Sequence, residues 1–321
     1  MSRRTFARTA SAALAATVGV TLLSACGGAA SAKEQQGAAG GTQSAQTAAK
    51  GSSGRDHDRR TPFTATHVGG PTTILEIGGA RLLLDPTFDR PKKYPSGLEK
   101  IKAPAFGVDR IGKIDAVLLS HDQHDDNLDD SGRALLKDIP AVYSTPGAHQ
   151  RLGAHVTGLR NWESRDIRTR SGSTVKVTAV PALHGPDRVD RGADGEVTGF
   201  VLSGRGVPTT YISGDNASVK VAAEVGKRIR KQFGRIDTAV LFAGAARTPA
   251  ILDNAPLTLT SQNAARVAAD LDPRKVVAVH TDSWNIYSED MKSLVKAFRE
   301  RGVADKLVNL RPDGSTKWLN R

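Results

Sequence analysis

The 321-residue chain has one cysteine, Cys26, close to its N-terminus. Beyond that point it can form no intramolecular disulfide, offer no thiolate to a metal and use no cysteine nucleophile. Aromatic residues make up only 5%, and no Lys/Arg run is interleaved with them, so the footprint for DNA or RNA is weak. The formal charge of +12 does not change this. Residues 1–60 carry 8 Lys+Arg against 3 Asp+Glu, which leaves 37 against 30 spread over the remaining 261. A solvated basic surface accounts for that excess, and no nucleic-acid partner is expected. Also missing are a G-x-S-x-G elbow, a P-loop and a G-x-G-x-x-G turn after a strand. A serine-nucleophile elbow, a phosphate-cradling loop and a dinucleotide site are therefore without support. The apolar stretch at residues 10–25 falls short of the roughly 20 residues that cross a bilayer.

That stretch reads as an address. Ser2-Arg3-Arg4-Thr5-Phe6 is a twin-arginine pattern, and the stretch ends in Leu23-Ser24-Ala25-Cys26, which resembles the lipobox of bacterial lipoproteins. Residues 1–26 are thus expected to be an export signal, with Cys26 lipidated and holding the chain at a membrane outside the cytoplasm. The alternative is ordinary leader cleavage with Cys26 incidental. Residues 27–60, rich in Gly, Ala, Ser, Gln and Thr, read as a flexible tether, in which His57 is solvated. One domain is expected over 61–321, where 39% hydrophobic and 24% charged residues in the whole chain allow a sizeable core.

From residue 64 onward strand-like and helix-like segments alternate. Residues 72–85 read as a hairpin turning on Gly78-Gly79. Further strands are expected at 115–119, 141–143, 174–180, 197–202, 209–212, 238–242 and 275–279. Helices are expected at 128–136, at 218–233 with Val221, Val225, Ile229 and Phe233 inward, and around Met291, Leu294, Val295 and Phe298, capped by Ser288. The basic residues at 220, 227, 228, 230 and 231 form a solvated face.

The most informative segment is Ser120-His121-Asp122-Gln123-His124-Asp125-Asp126-Asn127-Leu128-Asp129. An apolar strand runs straight into two histidines and four carboxylates. Carboxylates so close repel one another, and imidazoles resist burial, but a divalent cation turns both into ligands. Three more strands end the same way: 174–180 leads to His184, 209–212 to Asp215, and 275–279 to His280. A lone histidine after a strand is usually structural. Four such strand ends on one rim of a layered α/β domain point to a shared metal site. His149 and His155, around another helix, read as surface or packing residues.

These residues resemble the metallo-β-lactamase-fold hydrolases over roughly residues 64 to 290. The resemblance implies an α/β fold, an αββα four-layer sandwich. Thr66-His67-Val68-Gly69-Gly70-Pro71-Thr72 and Arg81-Leu82-Leu83-Leu84-Asp85-Pro86 are similar to the opening of the branch that contains L-ascorbate-6-phosphate lactonase and the N-acyl-phosphatidylethanolamine phospholipase D type enzymes. The family pattern H-x-H-x-D-H is not met: there is an extra residue between His121 and His124, and Asn127 stands where the last histidine belongs. Aligned from the right, His124 and Asp126 match and Asp122 takes the first histidine's place, unless the loop bulges to present His121.

The resemblance implies His121, His124 and His184 at one metal and Asp126, Asp215 and His280 at a neighbouring one, with Asp215 bridging. Asp126 or Asp215 would handle the proton of the leaving group. Zinc, one or two ions per chain, is the expected cofactor; Asn127, a poorer zinc ligand than imidazole, leaves a single strong site or Mn or Fe open. Several residues carry two readings: Asp85 orients a ligand histidine or caps its loop, and His67 reaches the site or caps the first strand. Arg247 offers substrate contacts after a strand, and Trp284 walls the substrate pocket or joins the core. The expected function is an exported metal-dependent hydrolase that turns an activated hydroxide on an ester, lactone or phosphodiester in a small-molecule substrate. The alternative is a lipid-anchored binding protein that keeps the fold and at most one structural metal.

Overall fold

The computed structural model describes residues 62–169, 172–187, 195–249 and 251–320. The export signal, Cys26, the tether and His57 lie outside the described residues. The first half supplies strands β1 (Thr64–Gly69), β2 (Thr72–Ile77) and β3 (Ala80–Leu84), and a small hairpin of β4 (Lys92–Lys93) and β5 (Glu99–Lys100). Then come β6 (Ala116–Leu118), helix α1 (Asp130–Leu135), β7 (Val142–Ser144), α2 (Pro146–Leu152) and β8 (Val156–Gly158). The second half supplies β9 (Ser164–Arg168), β10 (Thr174–Pro181), β11 (Thr198–Gly204), β12 (Val207–Ile212), α3 (Val219–Phe233) and β13 (Thr238–Phe242). It continues through α4 (Ser261–Leu271), β14 (Lys275–Val279), α5 (Met291–Glu300) and β15 (Leu307–Val308), and β16 (Thr316–Trp318) closes the chain.

Two seven-stranded sheets result, ordered β16-β1-β2-β3-β6-β7-β8 and β15-β14-β13-β12-β11-β10-β9. The period-two alternation of side chains decides the layers. Val240 and Phe242 of β13 and Val277 and Val279 of β14 face Leu75, Leu82 and Leu118 of the other sheet. The alternate residues Ala239, Leu241, Val276 and Ala278 pack outward against α3, α4 and α5. On the far side, Ile74, Leu83 and Val117 pack against Leu128 and Leu136 around α1. Helix, sheet, sheet, helix is the expected four-layer order.

The hairpin and the seven further expected strands form, within two residues of the expected limits. The basic residues of α3 lie exposed, but its buried stripe is Ala222, Val225, Gly226 and Ile229, with Val221 and Phe233 only partly buried. Helix α5 is capped by Asp290, which accepts from the Ser293 amide, and not by Ser288, whose hydroxyl donates to the Ala245 carbonyl at 2.8 Å. His149 and His155 are exposed. Helix α4 has no strong apolar period in the sequence, because alanines 264, 265 and 268 and Ser261 make most of its buried face. Among the described residues no helix is long and apolar enough to cross a membrane.

Candidate metal centre

Strand direction gathers the candidate residues on one rim. β12, β13 and β14 are parallel, and β10 runs with them because two antiparallel pairings separate it from β12. Their C-terminal ends therefore deliver His184, Asp215 and His280 to the same edge. In the first sheet β3 and β6 are also parallel and deliver Asp85 and the loop at 120–129. That loop is wound by turns, with the Asn127 and Leu128 amides both donating to the His124 carbonyl. It ends where Asp129 caps α1 by accepting from the Gly132 amide at 2.8 Å. Close approach of the backbone is required on the opposite wall: a Cβ on Gly244 would lie 2.0 Å from the His280 carbonyl oxygen.

Two groups of ligand atoms converge, His121 with His124 and His184, and Asp126 with Asp215 and His280; within each group they lie within 4.8 Å of one another. In the first group His124 Nδ1 stands 2.9 Å from His121 Nε2 and 3.2 Å from His184 Nε2. The outer nitrogens fix the tautomers. His184 Nδ1 lies 2.8 Å from the Leu257 carbonyl, which can only accept. His121 Nδ1 lies 3.0 Å from Ser120 Oγ, whose own proton goes to Asp85 Oδ2 at 2.6 Å. Both rings thus carry hydrogen on Nδ1 and turn the Nε2 lone pair inward. Burial, and then the neighbouring His124, His184 and His280, hold His121 well below the usual imidazole range, so it stays neutral.

In the second group His280 Nε2 is 3.2 Å from Asp126 Oδ2 and 3.5 Å from Asp215 Oδ1, yet neither contact is aligned as a hydrogen bond. Asp215 spans the groups, since its Oδ2 lies 3.5 Å from His184 Nε2. Burial alone would raise Asp126, but the His280 contact and charge outweigh it and hold the carboxyl below the usual range. His280 moves the opposite way: burial disfavours its cation, and the charge of Asp215, with Asp126, overrides this and raises it. His280 also sits at φ 62°, a left-handed conformation that costs a non-glycine residue about 1–2 kcal/mol. The inward Nε2 lone pairs of His121 and His184, and the His280 nitrogen set close to two carboxylates without hydrogen-bond alignment, fit divalent cations by the chemistry of the donor set.

The supporting residues differ from expectation in informative ways. The loop presents His121, not Asp122, which turns away into a two-pronged pair with Arg151 (2.5 to 3.1 Å). Asn127 is a donor: its Nδ2 reaches Asp85 Oδ2 and Asp215 Oδ1, both at 3.0 Å. The reversed amide would set its oxygen against two carboxylates. Asp85 also accepts from the Ser120 amide and hydroxyl, each at 2.6 Å. Burial, partly offset by the Asn127 and Ser120 bonds, pushes Asp85 up to about 7.

His67 stays outside both groups and braces them: its Nε2 meets the Gly70 carbonyl at 2.9 Å, the same oxygen that takes the His280 amide. Arg247 is tied to the Asn254 carbonyl and to Ser288. Trp284 is a core residue, 1% exposed and packed with Tyr94 and Leu98. Sequence reasoning missed Tyr287, whose hydroxyl donates to Asp126 Oδ2 at 3.2 Å and whose ring lies 4.2 Å from that of His280. No motif marks it.

A cavity of about 100 Å³ opens over His124, Asp126, His184 and Asp215, walled by Leu98, Ile251, Leu257 and Ile286 with Ser96 and Thr248 at its polar side.

The family model described as "Beta-lactamase superfamily domain" matches residues 80–281. The chain is similar to a UPF0173 metal-dependent hydrolase of Anaeromyxobacter sp. (strain K), 27% identical over 247 residues that cover 72% of this chain and 80% of the relative. Among solved structures it resembles a possible metal-dependent hydrolase of Veillonella parvula, with a TM-score of 0.65, 18% identity, and 80% of this chain and 99% of that one covered. It also resembles an isothiocyanate hydrolase from Delia radicum gut bacteria, with a TM-score of 0.64, 21% identity, and coverage of 79% and 98%. At those identities the structures speak for the fold.

Proposed function

Because the chain belongs to the β-lactamase superfamily and is a metal-dependent hydrolase, we propose that it hydrolyses an ester, lactone or phosphodiester at the cavity over the two ligand groups. His121, His124 and His184 would hold one divalent ion and Asp126, Asp215 and His280 a second, with Asp215 shared. The observation that carries this reading is the convergence of the two groups, one oxygen of Asp215 beside His184 and the other beside His280. When bound, such ions supply a Lewis acid and a water made acidic enough to react at neutral pH.

The chain's own residues do the rest. Ser120 and the Leu257 carbonyl lock the tautomers of His121 and His184. Asn127 and Tyr287 donate to the two ligand carboxylates and hold them in place. Both His280 and Tyr287 engage Oδ2 of Asp126, which leaves its Oδ1 as the oxygen that would hold the proton destined for the leaving group. Zinc is the preferred ion, with Mn or Fe as alternatives. The test is metal content by mass spectrometry with parallel activity. His124→Ala and Asp215→Ala should each lose metal and hydrolysis while remaining folded, and full activity in both would sink the assignment.

The same reading includes location. The twin-arginine pattern and the Leu23-Ser24-Ala25-Cys26 sequence support export and a lipid anchor on Cys26. Cys26→Ala should move the protein from the membrane fraction to the soluble one.

A further inference from the structure

The cavity narrows the substrate class. Its volume of about 100 Å³ is well below the ~300–1,000 Å³ of ordinary ligand pockets, and a ~150 Å³ cavity elsewhere accommodates a benzene ring. Whatever is enclosed beside the reacting carbon or phosphorus is therefore a group of about ring size or smaller. Four of the walls are aliphatic: Leu98, Ile251, Leu257 and Ile286. None of the described lining residues is Lys or Arg, the side chains that commonly meet the residual negative charge of a phosphodiester. The two charged residues of the floor, Asp126 and Asp215, belong to the ligand groups, so no charged side chain among the described lining residues is left over to meet a phosphate oxygen.

The aliphatic wall is also fixed to the metal centre. Leu257 offers its carbonyl to His184 Nδ1 at 2.8 Å and its amide to the Ala246 carbonyl at 2.8 Å. Beside Ile251, three consecutive non-glycine residues, Leu252, Asp253 and Asn254, hold φ of 49°, 54° and 61°. Such conformations persist where surrounding structure enforces them, and here Arg247 Nη1 donates to the Asn254 carbonyl at 2.6 Å. The wall is thus shaped by strained, pinned backbone, and its aliphatic residues stay over the ligand groups.

We infer that the substrate is an uncharged carboxylic ester or lactone whose acyl part is short and apolar, and not a phosphodiester or a long-chain acyl compound; this rests on the hydrolytic reading of the centre. The reaction adds water across the acyl C–O bond: the bond to the carbonyl carbon breaks, the water oxygen joins that carbon, and the alcohol oxygen leaves with a proton.

The test uses the purified protein loaded with Zn or Mn and four probes: γ-butyrolactone, ethyl butanoate, ethyl octanoate and bis(p-nitrophenyl) phosphate. Acid release at constant pH follows the first three, and absorbance the last. The expected result is that γ-butyrolactone or ethyl butanoate exceeds both ethyl octanoate and the phosphodiester in kcat/KM by at least tenfold. Ile251→Ala, with its metal content unchanged, should raise the octanoate-to-butanoate ratio at least fivefold. Preference for the phosphodiester, or indifference to acyl length in both proteins, would overturn the inference while leaving the hydrolase reading intact. No turnover of any probe by fully metal-loaded protein would overturn both.

Discussion

Asn127→Ala removes one amide and two hydrogen bonds to carboxylates, Nδ2 to Asp85 Oδ2 and Nδ2 to Asp215 Oδ1, both 3.0 Å and fully buried. Hydrogen bonds to charged groups contribute about 1.5–3 kcal/mol each, so where both carboxylates are ionised the metal-free variant should lose about 3–6 kcal/mol of folding stability. The loss should also depend on pH, because Asp85 titrates at about 7 in the folded protein against 3.8 for an ordinary aspartate. A carboxyl whose folded pKa is raised contributes stability that is complete below 3.8 and is lost as pH rises through the folded value. In the native protein that loss ends near 7. Without Asn127 the folded pKa climbs further and the loss continues above pH 7, so the variant's deficit should be about 1.4 kcal/mol larger at pH 8 than at pH 6. Urea unfolding of chelator-treated protein at the two pH values measures both. Since Asn127 also orients Asp215, affinity for Zn should fall about 10–100-fold, as is usual when a ligand's hydrogen-bond partner is removed; competition against a fluorescent chelator reports this. A pH-independent deficit below 1 kcal/mol, with affinity within about threefold of wild type, would refute the placement of Asn127 between the two carboxylates.

Tyr287→Phe deletes the donor to Asp126 Oδ2 and nothing else polar, so kcat should drop about tenfold with folding stability changed by less than ~1 kcal/mol; steady-state kinetics beside thermal melts decide it. Lys100 is buried with its Nζ 3.0 Å from Asp129 Oδ2. Lys100→Met leaves that carboxylate without its cation and should cost about 3–5 kcal/mol, of which Asp129→Asn in the same chain should restore only part, because its oxygen can keep the α1 cap while its amide nitrogen then faces the Asp89 amide that donates to Oδ2 at 2.7 Å. An equal cost in the double variant would count against the buried pair. Gly244→Ala should cost at least about 2 kcal/mol and lower the metal content, because the added Cβ meets the His280 carbonyl 2.0 Å away. Unchanged metal stoichiometry would show that the strand end yields without moving His280.

Legibility followed the physics of each signal. Strands buried on both faces, such as 238–242 and 275–279, announce themselves as apolar runs, and each run that met a histidine or aspartate marked a corner of the site. What lay beyond reading was geometry set by partners distant in sequence. Whether the loop after β6 presents His121 or Asp122 depends on Arg151, which draws Asp122 outward, and on Ser120, which holds His121 inward. Asn127 reads as a weakened ligand in one dimension and as a hydrogen-bond donor in three. Trp284 could have been wall or core, and burial against Tyr94 and Leu98 made it core. Tyr287 reaches Asp126 across 161 residues, a contact that no spacing encodes.

The ligand groups draw on both sheets: His121, His124 and Asp126 follow a strand of the first, and His184, Asp215 and His280 follow strands of the second. Among the described residues neither half supplies either three-residue group alone, so each group is complete only when the two sheets are packed. Phe242 shows the coupling at one residue. It belongs to the inter-sheet core, and its ring stacks on His280 at 5.3 Å. The same assembly gathers the local irregularities, namely a histidine at φ 62°, an Asp85 carboxyl that titrates near 7, and buried His280 nitrogens without hydrogen bonds. In a metal-free chain each of these is a cost, which the apolar layers on either side must offset. Ions that bind only the folded arrangement shift that balance by mass action, so metal binding and sandwich stability are linked, and because the Phe242 ring stacks on His280 perturbing the core there is a perturbation of the metal site.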